Sequence, residues 1–159
     1  LAFFSSFKYA KQASDALAQQ APDVPQRAQA PGMSPRQRAD FLAGFREPEG
    51  SVAFAVLGGV FSEGIDLPGD QLIGAFVATL GLPPFDAWHE ILKARLEQRF
   101  GAGYDYTYLI PGLQKVAQAA GRVIRTPEDQ GVIWLIDDRF LKPAINRLLP
   151  AWWFRNSGD

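Results

Sequence analysis

The chain contains no cysteine. That absence excludes disulfides, thiolate nucleophiles and zinc–sulfur centres together, and it fits a reducing compartment. It has one histidine, His89. Without a second histidine or a cysteine, His89 reads as a surface residue rather than a metal ligand. Net charge is scarce: the formal value is −1, so no overall cationic field announces a nucleic-acid partner and any DNA contact must be local. Long apolar runs are also missing. The longest, VAFAVLGGVF and LIGAFVATLGLPPF, fall short of the roughly 20 residues that span a bilayer. No signal-peptide pattern is legible. A GxxxxGK[ST] phosphate loop and an adjacent Asp–Glu pair of the Walker B kind are absent as well.

What is there fits one domain of ordinary size: 159 residues, 47% hydrophobic and 21% charged. Residues 1–153 read as that domain and 154–159 as a polar tail. The opening LAFFSS, without Met, reads as a buried strand and is expected of a piece of a longer chain. Short apolar runs then alternate with helical patterns. Ser5 or Ser6 caps a helix over FKYAKQASDALAQQ, which the proline-rich APDVPQ ends. VPQRAQ is a short strand. SPRQRADFLAGFRE is a helix with Ser34 as N-cap, Pro35 at its first position and Gln37 completing a capping box. Its buried stripe is Phe41, Leu42 and Phe45.

SVAFAVLGG and QLIGAFVATLG are strands, apolar as in a parallel sheet covered on both faces. DAWHEILKARLEQRF is an amphipathic helix with Trp88, Ile91, Leu92, Leu96 and Phe100 on one side. GAGYDYTY is expected as a loop, PGLQKVAQAAGRVIR as a helix, GVIWLIDDRF as the last strand, and AWWFRNSGD as a fraying tail. Strands alternating with helices predict an α/β domain with a mainly parallel sheet.

Two stretches carry chemistry. GGVFSEGIDLPGD, residues 58–70, has the glycine spacing of a phosphate loop from Gly59 to Gly64. It continues with Ile65 and Asp66 where Lys and Ser or Thr belong. Its glycines therefore serve a sharp turn between buried strands. In QAAGRVIR, Gln118, Arg122 and Arg125 fall within an arc of roughly 60° on a helix, with Lys115 at its edge. Val116, Ala120, Val123 and Ile124 point the opposite way, towards the sheet. Gly121 flanks the polar stripe, where a missing Cβ allows close approach. Alone, such a face is ordinary, since arginines in a last turn also complement the helix dipole by about 0.3–1 kcal/mol each.

The order of the elements gives these residues a context. Strand, SEGID loop, strand, long insertion, QAAGRVIR helix, strand and DDRF together resemble the second motor domain of superfamily 2 helicases, specifically the XPD/DinG family of DNA helicases. Ser62, Glu63, Gly64, Ile65 and Asp66 carry the resemblance for motif V. Gln118, Gly121, Arg122, Ile124 and Arg125 carry it for motif VI, with Asp129, Gly131, Asp137, Arg139 and Phe140 following the pattern. LAFFSS resembles motif IV. Each motif is weak singly; the joint spacing is what is specific.

The resemblance implies a RecA-like domain with a helical insertion at about 81–110. It implies ATP with Mg²⁺ clamped against a first RecA-like motor domain that holds the phosphate loop, and single-stranded or forked DNA as partner, travelled 5′ to 3′. It places Arg125 as arginine finger and Arg122 as its companion on the phosphates. Gln118 positions them, and Glu63, Gly64 and Asp66 face the nucleotide. Ser5, Ser6 and Ser62 face the DNA backbone. An iron–sulfur cluster, where members carry one, belongs to the first domain. This chain alone is expected not to hydrolyse ATP.

In the insertion, Trp88, Tyr104, Tyr106 and Tyr108 either pack, Trp88 in the core and the tyrosines at the sheet edge, or stack on bases at about 1–3 kcal/mol each; for Trp88 the core is expected. Two other readings compete. A Rossmann-like enzyme would need the glycine turn to open into a helix, whereas here LPGD leads to another strand. A RecA-like scaffold without catalysis has no use for Glu63, Asp66, Arg122 and Arg125 together.

Overall fold

Apolar strands and capped helices alternate as the sequence predicts, and the sheet is parallel throughout. A computed structural model of the chain describes residues 1–47, 49–62, 67, 71–123 and 130–154. The strands are β1 (Ala2–Phe4), β2 (Gln26–Ala28), β3 (Val52–Val56), β4 (Gly74–Val77) and β5 (Val132–Leu135), in the order β2-β3-β1-β4-β5. Registers such as Ala2↔Phe54, Phe3↔Val77 and Phe76↔Trp134 are all parallel.

Strand alternation divides the core in two. On one face Phe3, Ala53, Ala55, Ala75 and Val77 meet helix α2 (Pro35–Ala43), the turn after β3 and helix α4 (Ile110–Ala120) through Phe41, Phe61, Leu113, Val116 and Ala119. Phe41 stacks on Phe61 at 4.2 Å between ring centroids. On the other face Ala2, Phe4 and Phe54 pack under helix α1 (Phe7–Gln20) through Ala10, Ala13 and Leu17. Among the described residues, helix α1 packs chiefly on β1, β2 and β3. Beyond it Phe76 stacks on Trp134 at 4.4 Å, and Val132, Trp134 and Ile136 stay about half exposed.

The caps follow the residue types. Ser6 Oγ accepts the Tyr9 N–H at the start of α1. Ser34 and Gln37 form the reciprocal capping box, at 2.8 and 3.3 Å, with Pro35 first in α2. Phe41 is buried, with Leu42 and Phe45 partly so.

The insertion departs from expectation in three ways. GAGYDYTY is helical rather than a loop: residues 103–104 begin a helix and Asp105–Leu109 form a wide π turn, closed by the Ile110 N–H on the Asp105 carbonyl, that runs into α4. Pro111 gives the reason. Inside a regular helix its ring would clash with the carbonyl four residues back, and the widened turn relieves this. Trp88, expected in the core, is 65% exposed. Helix α3 (Ala87–Phe100) has no buried residue at all. The tyrosines pack against α3 instead of the sheet edge: Tyr108 is fully buried and stacks on Phe85 at 4.5 Å, while Tyr104 and Tyr106 are about half exposed.

At the C-terminal side, Asp138–Leu141 and Ala151–Phe154 are 3-10 turns and α5 is the short helix Pro143–Asn146. Of the tail expected to fray, Ala151–Phe154 form a 3-10 turn and 155–159 lie outside the described residues.

Candidate nucleotide and nucleic-acid interface

Parallel strands end together, and the loops leaving them gather at one edge. β1 gives way to Ser5 and Ser6, both exposed. The Leu57 N–H donates to the Phe4 carbonyl at 2.9 Å, so the chain leaves β3 beside β1. It then turns through Gly58, at φ +79°. In this turn the Gly59 N–H donates to the Val56 carbonyl at 3.0 Å and the Ser62 N–H to the Gly59 carbonyl at 2.9 Å. Gln29, just past β2, braces the same edge by accepting the Val56 N–H on Oε1 at 2.8 Å.

Ser62 is placed differently from Ser5 and Ser6. It is 2% exposed, and its hydroxyl donates to the Gly59 carbonyl at 2.8 Å. The side chain holds the turn. Glu63, Gly64 and Asp66 lie outside the described residues.

Helix α4 presents the second set. Leu113, Val116, Ala119 and Ala120 are buried, so the helix commits that face to the sheet. Gln118 is exposed, and Lys115 and Arg122 are half-buried. The predicted helix runs through residue 125, but α4 ends at Ala120. Gly121–Val123 form a turn, with the Arg122 N–H on the Ala119 carbonyl at 3.2 Å and the Val123 N–H on the Ala120 carbonyl at 3.0 Å. Val123 is buried, as its place opposite the polar stripe requires. Arg125, Ile124 and Asp129 lie outside the described residues.

Close packing fixes the start of α4. A Cβ on Gly112 would stand 2.5 Å from the Leu80 carbonyl oxygen, just past β4. Only glycine allows the backbone that near. Helix α4 therefore starts at the C-terminal strand edge and runs towards the other end, where Gly131 leads into β5.

Beyond β5, Asp137 receives Arg139 twice, from Nε at 2.8 Å and from the terminal guanidinium nitrogen at 2.6 Å. It also accepts the Arg139 N–H at 3.0 Å as N-cap of the following 3-10 turn. Those hydrogen bonds from the Arg139 side chain hold its carboxyl below the usual range. Phe140 anchors the turn in the core.

In the insertion, Asp86 caps α3 through the His89 N–H at 2.9 Å and meets His89 Nδ1 at 2.8 Å. The backbone bond from His89 is the main cause that lowers the Asp86 carboxyl. Among the described residues no group of His, Asp or Glu is arranged to hold a metal ion.

A family model for the helicase C-terminal domain matches residues 1–156. The chain belongs to this family. Relatives place the helicase C-terminal domain further: the ATP-dependent DNA helicase chl-1 of Caenorhabditis elegans is 34% identical over 115 residues, covering 70% of this chain and 14% of that protein. A regulator of telomere elongation helicase 1 homolog from Drosophila melanogaster is 32% identical over 127 residues, covering 76% of this chain and 13% of that protein. The helicase C-terminal domain thus spans a small part of the relatives it matches. A solved XPD helicase superposes with a TM-score of 0.70 at 22% identity, over 93% of this chain and 26% of that one, which gives it the RecA-like fold.

Lys115, at the edge of the polar arc, lies in the second turn of α4 and so nearer the C-terminal strand ends than Gln118.

Proposed function

We propose that this helicase C-terminal domain is the second motor domain of an ATP-dependent DNA helicase of the XPD/DinG type. The observation that carries the reading is the orientation of α4. Burying Leu113, Val116, Ala119 and Ala120 turns Gln118 outward and leaves Arg122 half-buried in the turn just after the helix.

In this reading ATP lies between this domain and a first motor domain, whose phosphate loop and carboxylates hold the triphosphate and Mg²⁺. Any iron–sulfur cluster also belongs outside this chain, which has no cysteine. Charge spreads over the γ-phosphoryl oxygens during transfer, and a guanidinium in a closed cleft stabilises it. Arg125 supplies that charge, Arg122 binds the phosphates beside it, and Gln118 orients them. Glu63, Gly64 and Asp66 line the nucleotide side of the loop after β3. Ser5 and Ser6 offer hydroxyls to the phosphates of single-stranded or forked DNA without reading its sequence. Ser62 serves that surface by holding the turn. Closure around ATP and opening after hydrolysis move the DNA 5′ to 3′.

The test is Arg125→Ala in the intact protein. DNA-stimulated ATP hydrolysis should fall about 10³-fold or more, with single-stranded DNA binding retained. Normal turnover in that variant would remove the finger assignment. The isolated 159-residue chain should not hydrolyse ATP.

A further inference from the structure

We propose that Lys115 is a DNA-backbone contact, separate from the arginines of the same stripe. The inference rests on the helicase reading above and adds a phosphate-binding residue to it.

Lys115 leaves α4 in its second turn and lies over the chain where it departs β3. A Cβ built on Gly58 would lie 3.4 Å from Lys115 Cδ and 3.6 Å from its Nζ. Gly58 combines a left-handed backbone, φ +79°, with an exposed position. The lysine stem thus crosses bare backbone and its ammonium ends at the strand edge. Among the described residues Lys115 makes no ion pair or hydrogen bond. Two other described lysines are paired: Lys11 binds Asp15 at 2.7 Å and Lys93 binds Glu90. A half-buried lysine whose ammonium has three unused donors is suited to an anion.

Its place decides which anion. Arg122 stands in the turn after α4, beyond the end of the helix and towards the opposite end of the sheet. Lys115 instead shares its edge with Ser5 and Ser6. The Leu57 N–H on the Phe4 carbonyl at 2.9 Å keeps the exits of β1 and β3 side by side. Ser6 opens α1, on one face of the sheet, while Lys115 reaches over from α4 on the other. A sugar–phosphate backbone laid along the edge meets hydroxyls from one side and the ammonium from the other. Neither group reads a base, as a motor moving over any sequence requires.

The packing alternative is a stem that merely covers Gly58. Charge separates the two. Lys115→Met keeps the stem and Lys115→Arg keeps the charge. In the intact protein, binding of fluorescein-labelled oligothymidylate is titrated across salt concentrations. Each single-strand phosphate contact adds about 0.7 to the slope of log K against log salt. Lys115→Met should lose about 0.7 from the slope and about 5-fold in affinity near 0.1 M salt, while Lys115→Arg keeps the wild-type slope. An unchanged slope in Lys115→Met, with wild-type protein that does bind, overturns the assignment alone. So does a raised KM for ATP with the slope intact, which would move the ammonium to the nucleotide. Wild-type protein that hydrolyses ATP but binds no oligothymidylate overturns the DNA reading itself, and Lys115 with it.

Discussion

The Tyr108 hydroxyl donates to Glu90 Oε1 at 2.8 Å and ties the π turn before α4 to helix α3. The ring is fully buried, between Phe85 at 4.5 Å and His89 at 5.9 Å. Glu90 also meets Lys93, whose hydrogen bond is the main cause that lowers its carboxyl, with Tyr108 second.

Burial first, and Glu90 second, push the Tyr108 phenol from 10.0 up to about 12. A raised folded-state value means the stabilisation is complete below the ordinary pKa and is lost as pH rises through the folded one. The domain should therefore weaken between about pH 10 and 12. A spectrophotometric titration should show a late phenolate step near pH 12 that Tyr108→Phe removes. A variant that still shows the step would contradict the assignment.

Asp137 behaves in the opposite sense. Its folded pKa lies below 3.8 because Arg139 donates to it, so its contribution is present above that value and fades as pH falls through the folded pKa. Asp137→Asn should cost about 1 kcal/mol, because the Arg139 side chain is 41% exposed and solvent screens the pair. That corresponds to a melting temperature lower by about 2–4 °C at neutral pH. The difference from wild type should shrink in acid.

Gly112→Ala tests how α4 is seated. Its Cβ would press on the Leu80 carbonyl, a backbone atom without freedom to rotate away. The expected cost is about 1–3 kcal/mol, read by chemical denaturation. An unchanged midpoint would mean that the helix shifts freely against β4.

The serines separate by role. Ser62→Ala removes the donor to the Gly59 carbonyl and should cost about 1 kcal/mol of stability. Ser6→Ala loses the cap on the Tyr9 N–H, also about 1 kcal/mol. Ser5 is exposed, and Ser5→Ala should affect DNA affinity while leaving the melting curve in place. A large thermal shift for Ser5→Ala would instead give it a structural role.

Much of this was legible in the sequence because the signals are local. Ser34, Pro35 and Gln37 specify a capping box with no help from the rest of the chain. The apolar run VAFAV needs both faces covered, and in a single domain that means a parallel sheet with helices on it. The polar stripe of α4 followed from helical period alone, up to Gln118. Legibility failed where a contact across the chain overruled local preference. Tyrosine, aspartate and threonine after Gly103 are poor helix formers, yet Glu97 accepts the Gly103 N–H at 2.6 Å and Glu90 accepts Tyr108. Those bonds hold GAGYDYTY against α3 in a helical form.

Trp88 failed for a related reason. Amphipathic spacing shows which side chains share a helix face, but not whether anything packs on that face. Helix α3 meets the protein through His89, Glu90 and Glu97, leaving Trp88 and Ile91 outward.

By itself, then, the sequence determined the alternation of apolar strands and helices outside the insertion, where α1 and α2 begin, and that arginines and serines fall in a helicase-like order. Periodicity and capping are short-range, so they survive without tertiary information. Tertiary structure decided that β1 stands between β3 and β4, that Ser62 turns inward while Ser5 and Ser6 stay exposed, and that Lys115 reaches Gly58. Each depends on residues far apart in sequence, brought together by strand pairing and by the close seating of Gly112 on Leu80.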